Sequence, residues 1–323
     1  MNLARREVLA GLTVAAVARP ALAETWTPPP PDRELRVPVR GGDLYVRVNG
    51  DLAAPRAPVL FIHGGPGSGH GYFLPTLTLA DQRAVILYDQ LDAGLSDRPG
   101  DPANWTVERF VSEIDAIRAA LGLRRLHVVG HSWGSTIALE YAARRPAGLR
   151  SLTLGSPLIS TRSWEASTRA QLATLPPAVR TAIETHERAG TTRDPAYVAA
   201  MEVFYAHFLR RHPAPAYVTA YRSRPGLASN PIVYEAMWGP GEISATGTLR
   251  SYDGEALLPR IAVPTLLVCG EHDEMTPAAA APLAARIPDA RLVAIADAGH
   301  ALPTDQPALY VQALRAHLDR ADG

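Results

Sequence analysis

The sequence predicts an α/β architecture: a mostly parallel sheet flanked by helices, with an inserted helical cap. Two patterns support this. Short continuous apolar runs bounded by Gly, Pro or Asp recur at Val59–Ile62, Ala84–Tyr88, Leu126–Val129, Leu152–Leu154, Thr265–Val268 and Leu292–Ile295. Such runs suit strands buried on both faces, as parallel strands are. Amphipathic stretches such as Val107–Leu121 and Thr136–Arg145 lie between them, and alternating strands and helices build a doubly covered sheet. The strand signal vanishes between about residues 157 and 250. There Ser163–Leu175, Pro177–Ala189, Pro195–Arg211 and Ala214–Arg222 read as helices, an insertion suited to roofing a sheet. Leu44–Val48 alternates as a half-buried strand does. The expected organisation is a core over 35–156, a cap over 157–250, and the rest of the core over 251–323.

Composition narrows the function. The chain has 323 residues, 47 % of them hydrophobic and 20 % charged, an ordinary globular balance. Its 32 Lys and Arg match its 32 Asp and Glu, so there is no basic excess to bind nucleic acid or an anionic membrane. A single cysteine, Cys269, excludes an intrachain disulfide and a cysteine metal cage. It lies in an apolar run and reads as a core thiol.

At the N-terminus, Arg5-Arg6, the mildly apolar stretch Val8–Val17 and Ala21-Leu-Ala23 read as a twin-arginine export signal over 1–23, although Arg19 interrupts it. The stretch is too short for a permanent membrane span. A periplasmic or secreted enzyme is therefore expected, with a cytoplasmic one as the alternative. Residues 24–34, with Thr27-Pro-Pro-Pro-Pro31, read as a stiff spacer.

The motif Gly130-His-Ser-Trp-Gly134 is G-x-S-x-G, directly after a strand and directly before a helix. That context predicts an α/β-hydrolase fold with Ser132 as nucleophile. A serine hydroxyl needs a base. In this fold the acid and then the histidine follow the serine in sequence. Asp273 and His300 each lie in a loop just past a late strand, where such sheets build their sites. His300 would take the Ser132 proton, and Asp273 would fix the imidazole tautomer. An imidazole of ordinary pKa, about 6.5, predicts activity falling below roughly pH 6–7. The run His63-Gly-Gly-Pro-Gly67 follows the strand Val59–Ile62. It places the Gly65 N–H, with the Trp133 N–H, as oxyanion donors. This chemistry calls for no metal and no cofactor.

Together, His63-Gly-Gly-Pro-Gly67, Tyr88-Asp-Gln90, Gly94-Leu-Ser96, Gly130–Gly134, Gly270-Glu-His-Asp-Glu-Met-Thr-Pro277 and Gly299-His300 resemble the proline iminopeptidase family. Glu202-Val-Phe-Tyr205 and Val233–Pro240 in the cap resemble the branch of the tricorn-interacting aminopeptidase. The likeness runs from about Arg36 to the C-terminus. It departs at Asp92-Ala93, where the family places Gly and a small residue. The resemblance implies a serine peptidase removing N-terminal residues from short peptides or aminoacyl amides. It also implies two glutamates that hold the substrate amine, Glu274 beside Asp273 and Glu242 after Gly239-Pro240-Gly241. Paired carboxylates suit an ammonium through charge-assisted hydrogen bonds. Trp133, Trp164, Phe204, Tyr205 and Trp238 are candidates for an apolar pocket gripping proline or a small side chain. Two other readings remain: a carboxylic-ester hydrolase, which would not use paired glutamates, and a non-catalytic receptor.

Overall fold

The computed structural model describes residues 26–323 and the two-residue strand β1 (Thr13–Val14). Apart from that strand, the segment read as an export signal lies outside the described residues. The other strands are β2 (Arg33–Val39), β3 (Gly42–Asn49), β4 (Val59–Ile62), β5 (Val85–Tyr88), β6 (Leu126–His131), β7 (Leu149–Gly155), β8 (Thr265–Gly270) and β9 (Ala290–Ile295). They form one sheet in the order β1-β9-β8-β7-β6-β4-β5-β3-β2. Pairing is parallel from β1 through β5, and antiparallel where β3 meets β5 and β2.

Every residue of β4, β5, β6 and β8 is buried, which is why these strands read as unbroken apolar runs. The edge strand β2 instead carries Arg33, Glu34, Arg36 and Pro38 among its few apolar residues. Proline is tolerated only at such an edge or a bulge, and this strand left no clear signal in the sequence. The polyproline spacer is anchored to the sheet. Arg47 and Asn49 of β3 donate to the carbonyls of Pro29 and Pro30 at 2.8 and 2.7 Å.

The chain leaves β4 to form β5 on one side and β6 on the other. Order reversal at the carboxyl ends of parallel strands opens a crevice. The loops after β4 and β6 carry Gly64–Gly67 and Ser132.

The helices are α1 (Val107–Leu121), α2 (Trp133–Ala143), α3 (Thr161–Ala173), α4 (Pro177–Ala189), α5 (Pro195–Phe204), α6 (Ala216–Arg222), α7 (Pro231–Met237), α8 (Pro277–Ala284), α9 (Leu302–Asp305) and α10 (Pro307–Asp322). Helices α3–α7 lie between β7 and β8 in the chain. Part of this segment has its own apolar cluster, including Leu172, Ile183, Tyr197, Met201 and Phe204.

The single helix expected over Pro195–Arg211 stops being α-helical at Tyr205, and Tyr205–Leu209 forms a π turn. The carbonyls of Phe208 and Leu209 accept the backbone N–H groups of His300 and Ala301, both at 2.8 Å.

The two glycines of the G-x-S-x-G motif are required by close packing. A Cβ on Gly134 would lie 2.1 Å from the Ile62 carbonyl oxygen, and one on Gly130 would lie 2.2 Å from that of Gly134. Neither obstacle is a flexible side chain, so relief means moving α2 away from the sheet. Gly134→Ala is expected to lower unfolding stability by about 3 kcal/mol, read as a reduced urea midpoint. An unchanged midpoint would contradict this close packing.

Candidate active site

Ser132 caps α2 with φ 57° and ψ −126°. A positive φ is uncommon for a residue with a side chain and marks a strained, over-determined turn. Its N–H donates to the Gly155 carbonyl at 2.8 Å, which ties the turn to β7. The helix begins at Trp133, three residues before the position the sequence suggested, because the serine itself is the cap.

His300 and Asp273 meet at the carboxyl end of the sheet. His300 Nδ1 lies 3.0 Å from Asp273 Oδ1. The other oxygen of Asp273 accepts the Ser156 hydroxyl at 2.5 Å and the Gly270 N–H at 3.0 Å, and Oδ1 also accepts the Met275 N–H at 3.2 Å. Asp273 is therefore a fully hydrogen-bonded carboxylate with a fixed orientation. It leaves Nε2 of His300 for the serine side. Ser132 and His300 line one cavity of about 400 Å³. No hydrogen bond joins the Ser132 hydroxyl to His300 in this arrangement, as is common before substrate binds.

The oxyanion loop is built from its own motif. Gly65 has φ 110°, and a Cβ there would come within 2.7 Å of the Gly67 nitrogen. A Cβ on Gly64 would lie 2.9 Å from that of Ser132, so the loop presses directly on the nucleophile. The Trp133 N–H, first in its helix, has no intrahelical partner. Neither it nor the Gly65 N–H donates to a backbone carbonyl among the described residues.

His63 and Gln90 brace this loop from below. The Gln90 N–H donates to His63 Nε2 at 3.0 Å, and the Gln90 side-chain amide donates to the His63 carbonyl at 2.6 Å. The Gln90 carbonyl accepts Trp133 Nε1–H at 2.9 Å. Burial lowers the His63 pKa to about 4 and keeps the ring neutral.

Tyr72 and His131 extend the network. Gly64 N–H donates to Tyr72 Oη at 2.7 Å, and Tyr72 Oη lies 3.2 Å from His131 Nδ1. His131 Nε2 is 2.9 Å from the His300 carbonyl oxygen. Burial, then the nearby His300, lowers the His131 pKa to about 3. A neutral His131 can donate from Nε2 and accept at Nδ1, so it links the oxyanion loop to the His300 loop. These four residues were not among the sequence-derived site residues. His63, Gln90 and His131 lay inside quoted motifs, and Tyr72 did not.

The two glutamates occupy the same neighbourhood. Glu242 lines the cavity and accepts the Tyr234 hydroxyl at 2.6 Å. Tyr234 lies within the quoted cap segment Val233–Pro240, but no role was assigned to it, because a hydrogen bond to Glu242 shows only in the fold. Glu274 is fully buried, with Oε2 3.6 Å from His300 Nδ1. Neither of its carboxylate oxygens has a hydrogen-bond partner. Burial, then the charge of Glu242, pushes the Glu274 pKa well above the carboxylate range. Burial raises that of Glu242 as well. For His300, burial alone would lower the pKa. Glu274, the hydrogen bond that His300 donates to Asp273, and Glu242 together outweigh burial and raise it to about 9.

The aromatic candidates separate. The Trp133 side chain is not a pocket wall: it is buried edge-on to Phe110 in the core beneath the site. Trp164 packs edge-on to His300 at 5.3 Å and to Trp238 at 6.0 Å. Phe204 belongs to the apolar cluster of the cap, with Tyr205 packed against it.

Asp92, the departure noted above, has φ 65°, a conformation open to glycine and tolerated by aspartate. Its carboxylate accepts Trp105 Nε1–H and the Gly100 N–H, both at 2.8 Å. Its role is structural.

The alpha/beta hydrolase fold model matches residues 57–307. A proline iminopeptidase of Heyndrickxia coagulans is 41 % identical over 221 residues, 68 % of this chain and 76 % of that protein. One from Levilactobacillus brevis is 35 % identical over 309 residues, 90 % and 99 % of the two chains. The crystal structure of VinJ is similar with a TM-score of 0.83 at 35 % identity, covering 90 % of this chain and 100 % of that one. That of the Mycobacterium smegmatis proline iminopeptidase gives a TM-score of 0.80 at 34 % identity, covering 90 % and 99 %.

The carboxylates around His300 alter the pH dependence expected from the sequence. A base works when neutral, and a raised pKa keeps His300 charged over a wider range. With a small ester that carries no amine, kcat/KM is expected to fall as pH drops through about 9, not through 6–7. Glu274→Gln is expected to move that limb down towards about 6.5. An acidic limb at the same pH in both proteins would contradict the electrostatic link.

Proposed function

The chain belongs to the proline iminopeptidase family of the α/β-hydrolase fold, and from that premise we propose how its site removes one residue from a free N-terminus. The observation that carries this reading is the Glu274 carboxylate. It is buried, lacks a hydrogen-bond partner and lies near a second carboxylate, Glu242. Burying a charged group without a partner is expensive. An incoming ammonium supplies the missing donors and the missing positive charge at once. A plain ester offers neither.

With the amine held there, the scissile carbonyl lies against Ser132. The Ser132 hydroxyl oxygen attacks the carbonyl carbon while its proton passes to His300 Nε2. Negative charge forms on the carbonyl oxygen, faced by the N–H groups of Gly65 and Trp133. The tetrahedral intermediate collapses, the C–N bond breaks, and His300 returns the proton to the leaving nitrogen. Water then attacks the acyl-enzyme by the same steps, releasing the amino acid. The bound ammonium also offsets the glutamate charges, which lets His300 lose its proton more readily in the complex than in the free enzyme. Trp164, packed edge-on to His300, is the aromatic candidate placed beside the triad for a proline ring or a small side chain.

Comparing proline p-nitroanilide with its N-acetyl form tests amine recognition. The free amine is expected to react at least about 100-fold faster, since hydrogen bonds to charged groups contribute about 1.5–3 kcal/mol each; equal rates would discard the reading. Glu242→Gln and Glu274→Gln should raise KM for the free amine far more than for an ester, and equal changes on both would refute the anchor. Ser132→Ala should lower kcat on the order of 10⁶-fold.

Export through residues 1–23 is part of the same proposal, supported by Arg5-Arg6 and Ala21-Leu-Ala23. Periplasmic recovery that is lost in R5K/R6K is expected on cell fractionation. Identical distribution of the two proteins would discard it.

A further inference from the structure

The catalytic cavity is also lined by basic side chains: Arg210, His212 and Arg222. Two of them are already paired. Arg210 lies 3.7 Å from Glu202, and His212 lies 3.0 Å from Asp297. Arg222, at the end of α6, has no carboxylate within ion-pair distance and makes no hydrogen bond among the described residues. Its stem lies across Gly71, where a Cβ would come within 2.8 Å of Arg222 Cγ. Its charge acts on Tyr72, the residue that receives the Gly64 N–H. The cations that act on Glu274 are His300 and Arg210, and His300 acts on Glu242. Arg222 thus borders the cavity beside Gly71 and Tyr72, next to the oxyanion loop, and Glu274 lies 3.6 Å from His300.

The cavity lining therefore holds a carboxylate, Glu242, and a guanidinium with no ion-pair partner among the described residues, Arg222. A peptide bond places its acyl side and its leaving side in opposite directions from the carbonyl carbon. With the ammonium fixed at Glu242 and Glu274, the rest of the peptide runs away from them. In a dipeptide or tripeptide the free α-carboxylate follows within one or two residues, roughly 3.5–7 Å of extended chain. A guanidinium is the side chain best shaped to receive a carboxylate in two parallel hydrogen bonds. Resting on the aminopeptidase reading, we infer that Arg222 receives the C-terminal carboxylate of short peptides and selects free di- and tripeptides over their C-terminal amides.

The test compares prolyl-glycine with prolyl-glycinamide, with hydrolysis of proline p-nitroanilide measured in parallel. The wild-type enzyme is expected to favour the free acid in kcat/KM by about fivefold at low salt, the scale of an exposed ion pair. That ratio should shrink as ionic strength rises. It should approach one in Arg222→Ala and Arg222→Gln and be partly kept in Arg222→Lys. A wild-type ratio of one, a ratio insensitive to salt, or a ratio unchanged in Arg222→Ala would overturn the inference and leave the aminopeptidase reading intact. Failure of all three compounds would overturn that reading and the inference with it.

Discussion

The close approach of α2 to the sheet governs this molecule. Gly130 and Gly134 let the helix start almost against β4, and the chain must reverse within the three residues between them. Ser132 takes up that reversal with a positive φ. The same contact brings the Ile62–Gly65 backbone against the nucleophile, since Gly134 abuts the carbonyls of Ile62 and His63 and Gly64 abuts Ser132. Nucleophile and oxyanion loop are thus positioned by one piece of packing. Backbone strain at the serine is held in place by burial of the surrounding strands, where the structure has least room to relax.

The second constraint is electrostatic. Asp273 is saturated with donors, so its charge is well supported. Glu274 lies one residue further along with no donor at all. Adjacent carboxylates thus sit in very different environments: one is bonded to an imidazole, and the other is buried without a hydrogen-bond partner. This arrangement costs stability in the empty enzyme, as functional sites commonly do. It also ties the basicity of His300 to the charge state of its glutamate neighbours.

Much of this was legible in the sequence, for identifiable reasons. Strands buried on both faces leave unbroken apolar runs, so β4 and β8 could be read directly. The G-x-S-x-G glycines are visible because nothing else fits their positions. What stayed hidden depends on contacts distant in the chain. The edge strand β2 is half polar and looks like a loop. The π turn at Tyr205–Leu209 ends on carbonyls that accept from His300 and Ala301, some ninety residues away in the chain. Tyr72, His131 and Tyr234 gain their roles only through folding. Trp133 was read as a pocket residue because it adjoins the serine. The residue after a nucleophile at this turn contributes its backbone N–H, while its side chain enters the helix–sheet interface.

The diverted carbonyls of Phe208 and Leu209 have a mechanical consequence. They tie the roof of the cavity to the backbone on which the general base is mounted. A roof hinged at this corner could not swing clear without dragging the imidazole off its aspartate. Movement of this part of the cap is therefore coupled to the loop that carries His300. Traffic and proton transfer share one anchorage, so loosening the roof would cost turnover as well as selectivity.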